Sequence, residues 1–308
     1  MNLHKSYRRK RVLLTGHTGF KGSWLTVWLH QLGAEVHGLA LAPENRKWLF
    51  AQGGLDELCH HTVGDVRDLA LVKKVVKQVK PDVVFHLAAQ PIVRASYTDP
   101  VGTAATNIMG TIHVMEAVRQ LNRPCAMVMV TSDKCYENRE WPYAYRENDA
   151  MGGHDVYSMS KGAAELTISS YRRSFFPPGG PIAMASGRAG NVIGPGDWAQ
   201  DRIVADAMRT LLKGDTLVVR NPSATRPWQH VLEPLSGYLT LGAALLDKKN
   251  DWARGGWNFG PGLDAARTVA ELADEMIKVL GSGRWTTDKK GKHPHEANFL
   301  RLSIEKAS

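Results

Sequence analysis

The sequence has few cysteines and no arrangement of them that suggests a disulfide framework. Only Cys59, Cys125 and Cys135 occur among its 308 residues, so complete pairing is impossible. None of the three has the short spacing to other cysteines or histidines that a zinc site requires. We therefore predict a reducing, cytoplasmic setting, and no metal. The adjacent His60 and His61 have a single cysteine beside them, and we interpret them as part of a solvated loop.

Long apolar runs are also missing. No stretch approaches the 18 residues that a membrane helix needs. The first apolar run, at 12–14, is too short for the apolar core of a signal peptide. We expect no membrane partner. The last residues, 299–308, read as the start of a further element and predict that the chain continues beyond them.

Positive charge is in excess, with a formal net charge of +9. Such an excess allows nucleic acid, a membrane surface or a phosphorylated small molecule as partner. Much of it falls in residues 1–10, a basic arm before the first strand, and beyond the arm the two signs of charge alternate. We interpret the arm as a solvated tail, which predicts no nucleic-acid partner.

Short apolar runs alternate with amphipathic segments in the first part of the chain, which is typical of βαβ units. Strands are predicted at 12–15, 35–41, 83–89 and 125–132, and helices at 20–32, 69–79 and 103–121. The run at 82–89 is apolar on both faces, as in a central parallel strand. The fold class is α/β: a Rossmann-type, doubly wound parallel sheet with a smaller C-terminal substrate-binding subdomain.

The pattern changes after about residue 176, where a Phe-Phe-Pro-Pro-Gly-Gly-Pro segment interrupts it. Glycine- and proline-rich loops follow, with helices predicted at 201–213, 232–246 and 267–280. We therefore divide the chain into a dinucleotide-binding domain at 11–180 and a subdomain at 181–308, with some segments of the latter returning to the sheet.

A glycine-rich loop, Thr15-Gly-His-Thr-Gly-Phe-Lys-Gly22, lies between an apolar strand and an amphipathic helix. Gly16 permits a tight turn, Gly19 the close approach of a pyrophosphate, and Gly22 close packing of the helix. The phosphates are expected at the helix N-terminus. The loop predicts dinucleotide binding.

The choice between NAD and NADP stays open at this stage. An NAD site usually has a carboxylate about 20 residues after the loop to bind the adenosine ribose, but residues 38–43 contain none, and Glu44 comes late. Arg46 and Lys47 are alternatives that would suit a 2'-phosphate, or they begin a solvated helix. Small residues at 88–89 would let the dinucleotide lie against the backbone.

Tyr157 and Lys161 lie four residues apart on one face of a predicted helix. An ammonium one turn away favours the phenolate and is expected to lower the pKa of Tyr157, making it a base near neutral pH. Ser132 ends the preceding predicted strand and can share the hydrogen bond of a substrate hydroxyl. These residues predict oxidation of a substrate hydroxyl.

At this point the sequence resembles the extended short-chain dehydrogenase/reductases, and among them the CDP-glucose 4,6-dehydratases. The resemblance runs from about Arg11 to the end of the chain. The blocks that carry it are Thr15-Gly-His-Thr-Gly-Phe-Lys-Gly22, Ala88-Ala-Gln-Pro91 with Arg94, Thr131-Ser-Asp-Lys-Cys-Tyr136, Met151-Gly-Gly-His154, Arg188-Ala-Gly-Asn191 with Gly196-Asp-Trp198, Arg226-Pro-Trp-Gln-His230 and His293-Pro-His-Glu296.

The resemblance implies a redox cycle that ends in dehydration. Tyr157 takes the C4 hydroxyl proton while hydride passes to NAD; the 4-keto group acidifies C5–H, water leaves C6, and the hydride returns to C6. The implied cofactor contacts are Gly16, His17, Thr18, Gly19, Phe20, Lys21, Gly22, Asp65, Val66, Leu87, Ala88, Ala89, Gln90, Asn107, Tyr157 and Lys161.

The two residues after Ser132 separate a dehydratase from an epimerase, because elimination needs an acid at C6 and a base at C5. Asp133 is placed for the acid. Related dTDP-glucose and GDP-mannose enzymes carry a glutamate as base where this chain has Lys134. Either Lys134 acts as a neutral amine, or it stabilises the enolate and another group takes the proton. Inverting UDP-N-acetylhexosamine dehydratases also carry an Asp-Lys pair and stay as an alternative, alongside a 4-epimerase and a catalytically inert dinucleotide sensor.

A nucleotide diphosphate requires cationic and amide donors. The resemblance assigns Arg226 and Asn191 to the diphosphate of a CDP-hexose and Arg94 to the region of the sugar. His293 stands where related epimerases have an arginine, and it is a further candidate phosphate ligand. The resemblance also implies a homodimer or homotetramer, formed by helices beside 103–121 and 157–174.

Overall fold

The computed structural model describes residues 1–43, 46–262, 265–287 and 299–308. The helices are α1 Leu3–Tyr7, α2 Phe20–Gln31, α3 Leu49–Gln52, α4 Leu69–Val79, α5 Val93–Thr98, α6 Pro100–Ala104, α7 Gly110–Arg119, α8 Val156–Phe175, α9 Ile203–Leu211, α10 Leu232–Leu246 and α11 Val269–Leu280. The strands are β1 Arg11–Thr15, β2 Glu35–Ala40, β3 His60–Val63, β4 Val83–His86, β5 Cys125–Val130, β6 Ile182–Ala189, β7 Val192–Ile193, β8 Leu217–Val219, β9 Thr225–Arg226, β10 Gln229–His230, β11 Gly255–Phe259, β12 Arg267–Thr268 and β13 Trp285–Thr287.

Seven strands form one parallel sheet in the order β11-β6-β5-β4-β1-β2-β3. The order reverses between β1 and β4, which is where a doubly wound sheet opens a crevice at the carboxyl ends of its strands. The predicted α/β, Rossmann-type fold is confirmed. Two strands from the second half of the chain, β6 and β11, extend this sheet.

Apolar side chains cover both faces of the sheet. On one face, Leu25 and Leu29 of α2 and Leu235 and Leu239 of α10 pack against β1, β4 and β5. On the other face, residues of α4, α7 and α8 form a second cluster. This burial on both sides explains why β4 is completely buried and why its sequence is apolar without alternation.

The remaining strands form three small pairs, β7 with β10, β9 with β12 and β8 with β13. A separate apolar cluster from α9, β8 and α11 supports them. Helix α11 begins at Val269, two residues after its predicted start, because Thr268 and Glu271 form a capping box at its N-terminus. No helix in the described part of the chain is long and apolar enough to cross a membrane.

Two sequence interpretations are wrong. The basic arm is not simply a solvated tail, because Tyr7 is completely buried and donates a hydrogen bond to the carbonyl of Leu239 in α10, at 2.6 Å. His60 and His61 do not lie in a loop, because they begin the edge strand β3.

The predicted helix at 103–121 also differs in detail. A turn of π-helix at Ala105–Met109 separates α6 from α7. There Asn107 is buried, and its side chain bonds the backbone of Gln90 and the hydroxyl of Ser160. A π-helical turn of this kind often accompanies a functional site.

Candidate active site

A cavity of about 780 Å³ opens at the carboxyl ends of the sheet strands. Its lining joins segments from both halves of the chain. Most of the predicted site residues line it: Gly16, Thr18, Gly19, Phe20, Lys21, Gly22, Asp65, Val66, Leu87, Ala88, Ala89, Arg94, Ser132, Asp133, Lys134, Tyr157, Lys161, Asn191 and Arg226.

The glycine loop is shaped to receive an anion. Gly16 has a φ of +76°, and a side chain there would meet the backbone of Ala88 at 2.7 Å. A side chain at Gly19 would meet only the carbonyl oxygen of Gly16, at 3.4 Å, so that glycine leaves open space towards the cavity. Gly19 is also the N-cap of α2 and offers no side-chain cap. The first amide groups of α2 thus point to a pyrophosphate position, and the residues present fit a dinucleotide.

Three predicted cofactor contacts lie outside this lining. The ring of His17 is completely buried, and its Nε2 lies 2.6 Å from Nδ1 of His61. The amide of Gln90 bonds Thr103, and Asn107 bonds Gln90 in turn. These side chains stabilise the glycine loop and the end of β4 without lining the cavity.

The end of the cavity nearest β2 and β3 contains an ion pair instead of a lone carboxylate. Asp65 accepts two hydrogen bonds from the Arg67 guanidinium, and this contact lowers the pKa of Asp65. Both residues line the cavity, together with Trp48. Arg46 and Lys47 are exposed and do not line it, and Glu44 lies outside the described residues.

Ser132 and Asp133 lie two and three residues after the end of β5, where a short 3-10 turn begins. The hydroxyl of Ser132 donates to the Asp133 carboxylate, with 2.9 Å between the oxygens. Burial raises the pKa of Asp133, although Lys134, the Ser132 hydrogen bond and Arg226 act in the opposite direction. A carboxyl group in this environment holds its proton to higher pH than an exposed aspartate and can act as an acid.

Tyr157 and Lys161 lie in the first turns of α8, whose N-terminus is capped by Asp155. Burial is the main influence on both. It raises the pKa of Tyr157 to about 12 and lowers that of Lys161 to about 8. The Lys161 ammonium is 5.9 Å from the centre of the phenol ring. The sequence predicts a lowered pKa for Tyr157. In the protein alone its pKa is instead raised, because the loss of hydration outweighs the Ser132 hydrogen bond and the positive charge of Arg202.

Lys21 is a further buried cation at this site. Its pKa is lowered to about 7, chiefly by burial and also by the positive charges of Arg202 and Lys161, while Asp133 and Asp197 act in the opposite direction. The cavity thus contains a group of ionisable side chains that are buried away from water: Lys21, Lys161 and Asp133.

A buried ion pair between α8 and β6 was not predicted from the sequence. Glu165 and Arg188 are 4% and 5% exposed, and 2.7 Å separates their charged atoms. Glu165 also accepts hydrogen bonds from Thr131 and Ser186, while Arg188 donates to the Tyr136 hydroxyl. Glu165 lies four residues after Lys161, so both residues are on the same face of α8. This spacing is the feature of the sequence that could have indicated a role for Glu165 at the site.

Asn191 and Arg226, the predicted diphosphate ligands, line the cavity together with several polar residues that the sequence did not indicate. Arg94 lies 3.4 Å from Asp201, which also pairs with Arg220 at 2.7 Å. Asp201 thus connects α5 to the residue that follows β8. His293 lies outside the described residues.

Comparisons with known proteins agree with this geometry. Residues 13–251 match the family described as GDP-mannose 4,6 dehydratase. A CDP-glucose 4,6-dehydratase of Salmonella typhimurium is 47% identical over 307 residues, which cover 98% of this chain and 85% of that protein.

Solved structures also share the fold. A UDP-glucose 4-epimerase of Thermus thermophilus, in complex with NAD, has a TM-score of 0.77 at 25% identity, covering 96% of this chain and 90% of that one. The dTDP-glucose 4,6-dehydratase DesIV of Streptomyces venezuelae, with NAD and TYD bound, has a TM-score of 0.79 at 24% identity, covering 96% and 89%.

Proposed function

The chain belongs to the GDP-mannose 4,6-dehydratase family, and we propose that it converts CDP-D-glucose to CDP-4-dehydro-6-deoxy-D-glucose with NAD as cofactor. One observation carries the proposal. Ser132, Asp133 and Lys134 line the same cavity as Tyr157 and Lys161, so groups for oxidation and for elimination face one space. The product would be a precursor for deoxysugars of O-antigen-type polysaccharides.

The first step is removal of the C4 hydroxyl proton. Tyr157 accepts it, Ser132 shares the hydroxyl's hydrogen bond, and Lys161 stabilises the phenolate through its positive charge. When bound, NAD supplies a hydride acceptor for C4, returns the hydride to C6, and carries a positive charge that favours the phenolate. The raised pKa of Tyr157 in the protein alone means that deprotonation depends on such added charge.

The second step is loss of water across C5 and C6. Asp133 donates a proton to the departing C6 hydroxyl, which its raised pKa favours. Lys134 lines the cavity beside it and either accepts the C5 proton as a neutral amine or stabilises the enolate. The departing water is made of the C6 hydroxyl and the proton from Asp133, while the C5 proton passes to the base. Return of the hydride to C6 and of a proton to C5 would complete the cycle, so the net change is loss of one water and no external oxidant is consumed.

Substrate binding involves cations from both halves of the chain. We assign Arg226 and Asn191 to the diphosphate and Arg94 to the region of the sugar, because all three line the cavity beyond the catalytic residues. The preference for NAD over NADP is supported by the Asp65–Arg67 ion pair, in which Asp65 already partly neutralises the arginine that a 2'-phosphate would need.

Incubation of the purified protein with CDP-glucose and NAD tests the assignment. We expect a 4-keto-6-deoxy product, measured by its alkali-induced absorbance, with parallel incubations containing UDP-N-acetylglucosamine, GDP-mannose and dTDP-glucose. Interconversion of UDP-glucose and UDP-galactose without a keto product would indicate a 4-epimerase instead. Absence of product with every nucleotide hexose would contradict the dehydratase assignment.

We also propose that the protein is a cytoplasmic homo-oligomer. Apolar side chains of α8 and of the segment before α7 remain exposed in the single chain, among them Met109, Met159 and Leu166. Burial of such side chains commonly stabilises an interface between copies. Light scattering coupled to size-exclusion chromatography is expected to give a dimer or tetramer, and a Leu166→Glu variant should shift it towards the monomer.

A further inference from the structure

Three potential metal ligands meet at the edge of the sheet formed by β2 and β3. Nε2 of His37 lies 2.9 Å from Oε1 of Glu35, and Nε2 of His60 lies 3.9 Å from the same oxygen. The ligand atoms of the three residues all lie within 4.8 Å of one another. The rings of His37 and His60 stack with their centres 4.6 Å apart.

The strand geometry accounts for this grouping. Glu35 and His37 are two residues apart on β2 and therefore project from the same face. His60 is the direct partner of His37 in the parallel register of β2 and β3. His61 projects from the opposite face and contacts His17. The adjacent residues His60 and His61 thus make contacts on opposite faces of the sheet.

We propose that Glu35, His37 and His60 form a binding site for a divalent transition-metal ion of the zinc type, with water completing its coordination. Two imidazoles and one carboxylate suit Zn²⁺, Ni²⁺ or Cu²⁺, whereas Mg²⁺ and Ca²⁺ require oxygen ligands almost exclusively. The ion would replace the hydrogen bond between Glu35 and His37 and draw in His60.

The required movement involves side chains alone. Tetrahedral zinc with ligands at about 2.0–2.2 Å needs ligand atoms about 3.3–3.5 Å apart. His60 now lies 3.9 Å from Glu35 and must come closer. The ligand nitrogens of His37 and His60, which lie within 4.8 Å of each other, must reach the same spacing. His60 must also rotate out of its stack on His37, so that both ring planes meet at the ion. The side chain of His60 is 70% exposed and Glu35 is 49% exposed, so neither is held by packing.

Fixed charges near the site come from Arg11 on β1 and from Asp82, the residue before β4. Arg11 is the register partner of Glu35 and places a positive charge near the site, which opposes a cation. The Asp82 carboxylate lies 3.9 Å from the Arg11 guanidinium and offsets part of that charge, since it also pairs with Arg123 at 2.9 Å. The negative charge of the site itself comes from Glu35.

The site lies at the opposite end of the sheet from the catalytic cavity. Glu35 and His60 begin their strands, whereas the cavity lies beyond the carboxyl ends of the strands. A bound ion would join the edge strand β3 to β2 and stabilise the sheet edge that leads to Asp65 and Val66. The proposal therefore does not depend on the proposed function.

Titration calorimetry with ZnCl₂ in a non-chelating buffer tests the proposal on the full chain. We expect a site that the His60→Gln variant weakens by roughly tenfold or more. His30→Gln is the matched control, since His30 is an exposed histidine at the end of α2 on a different element, and it should bind as the unchanged protein does. Equal zinc affinity in the unchanged protein and His60→Gln would overturn the proposal, as would absence of binding in both.

A second measurement separates metal binding from a change in folding. Zn²⁺ should raise the thermal midpoint of the unchanged protein and of His30→Gln, because a ligand that binds the native state stabilises it by mass action. It should raise the midpoint of His60→Gln by clearly less at the same zinc concentration, and Mg²⁺ should have no effect on any of the three. An equal shift in all three proteins, or a shift with Mg²⁺, would overturn the assignment.

Discussion

Charged side chains have different environments at the two ends of the central sheet. At the amino end, Asp82 pairs with Arg11 and Arg123, and all three side chains remain partly exposed. At the carboxyl end, Lys161 and Asp133 are buried, and loss of hydration moves the pKa of each towards neutrality. The same fold thus has paired, partly exposed charged side chains at the amino end of the sheet. At the carboxyl end it has buried side chains whose pKa values are shifted towards neutrality.

The difference follows from where the chain segments meet. Connections at the carboxyl ends form the crevice, so side chains there face a cavity and lose water without gaining full partners. Charges at the amino end stand on the outer surface, where pairing costs little and contributes little. We expect substitutions at the carboxyl end to change activity or stability strongly and those at the amino end to have small effects.

The largest effect is expected from Tyr157→Phe, which removes the base for the C4 proton. We predict a loss of dehydratase activity of about 10⁴-fold or more, measured with CDP-glucose under saturating NAD. Tyr171→Phe, on the same helix but away from the cavity, is the control and should retain activity. Retained activity in Tyr157→Phe would remove this residue from the mechanism.

Asp133→Asn is expected to separate the two halves of the reaction. Elimination should slow by roughly 10² to 10⁴, while oxidation at C4 continues, so that NADH appears transiently in a stopped-flow experiment. An amide cannot supply the proton that the buried carboxyl group donates. An unchanged overall rate would show that another group is the acid.

Glu165→Gln compares the ion pairs of the two ends. It leaves the Arg188 charge buried without its carboxylate, and we expect the free energy of unfolding to fall by about 3–5 kcal/mol. Asp82→Asn, at the amino end, should cost about 1 kcal/mol or less. Urea unfolding measures both, and equal costs would contradict the proposed difference between the ends.

Lys21→Met is expected to change how the free energy of unfolding depends on pH. The pKa of Lys21 falls from 10.5 in the unfolded chain to about 7 in the folded one. Between these values the unfolded state binds more protons, so stability rises with pH; below about pH 7 both states are protonated and the slope vanishes. The variant should reduce this rise in stability with pH, and the remaining rise would come from Lys161. Lys278→Met, at an exposed position, should leave the rise unchanged. Equal dependence of stability on pH in the two variants would contradict the assignment.

Local patterns indicated the glycine loop and several helix bounds. Gly16 and Gly19 fall between β1 and α2, Gly22 lies in the first turn of α2, and α4 and α10 have their predicted bounds. These features depend on residues close in sequence, for which spacing is informative. The contacts between Asp201 and both Arg94 and Arg220 depend on residues that are distant in sequence, and no spacing indicated them.

The sequence by itself determined the alternation of strands and helices, the glycine loop and the Tyr157/Lys161 pair, because each depends on short-range periodicity or spacing. The role of Asp133 came from the resemblance to a known family. Only the tertiary structure decided how far burial moves the pKa values of these side chains, since hydration is set by what packs around a group. It also decided that Glu165 pairs with Arg188, and that His60 meets Glu35 and His37, because strand register and helix packing bring together residues that lie far apart along the chain.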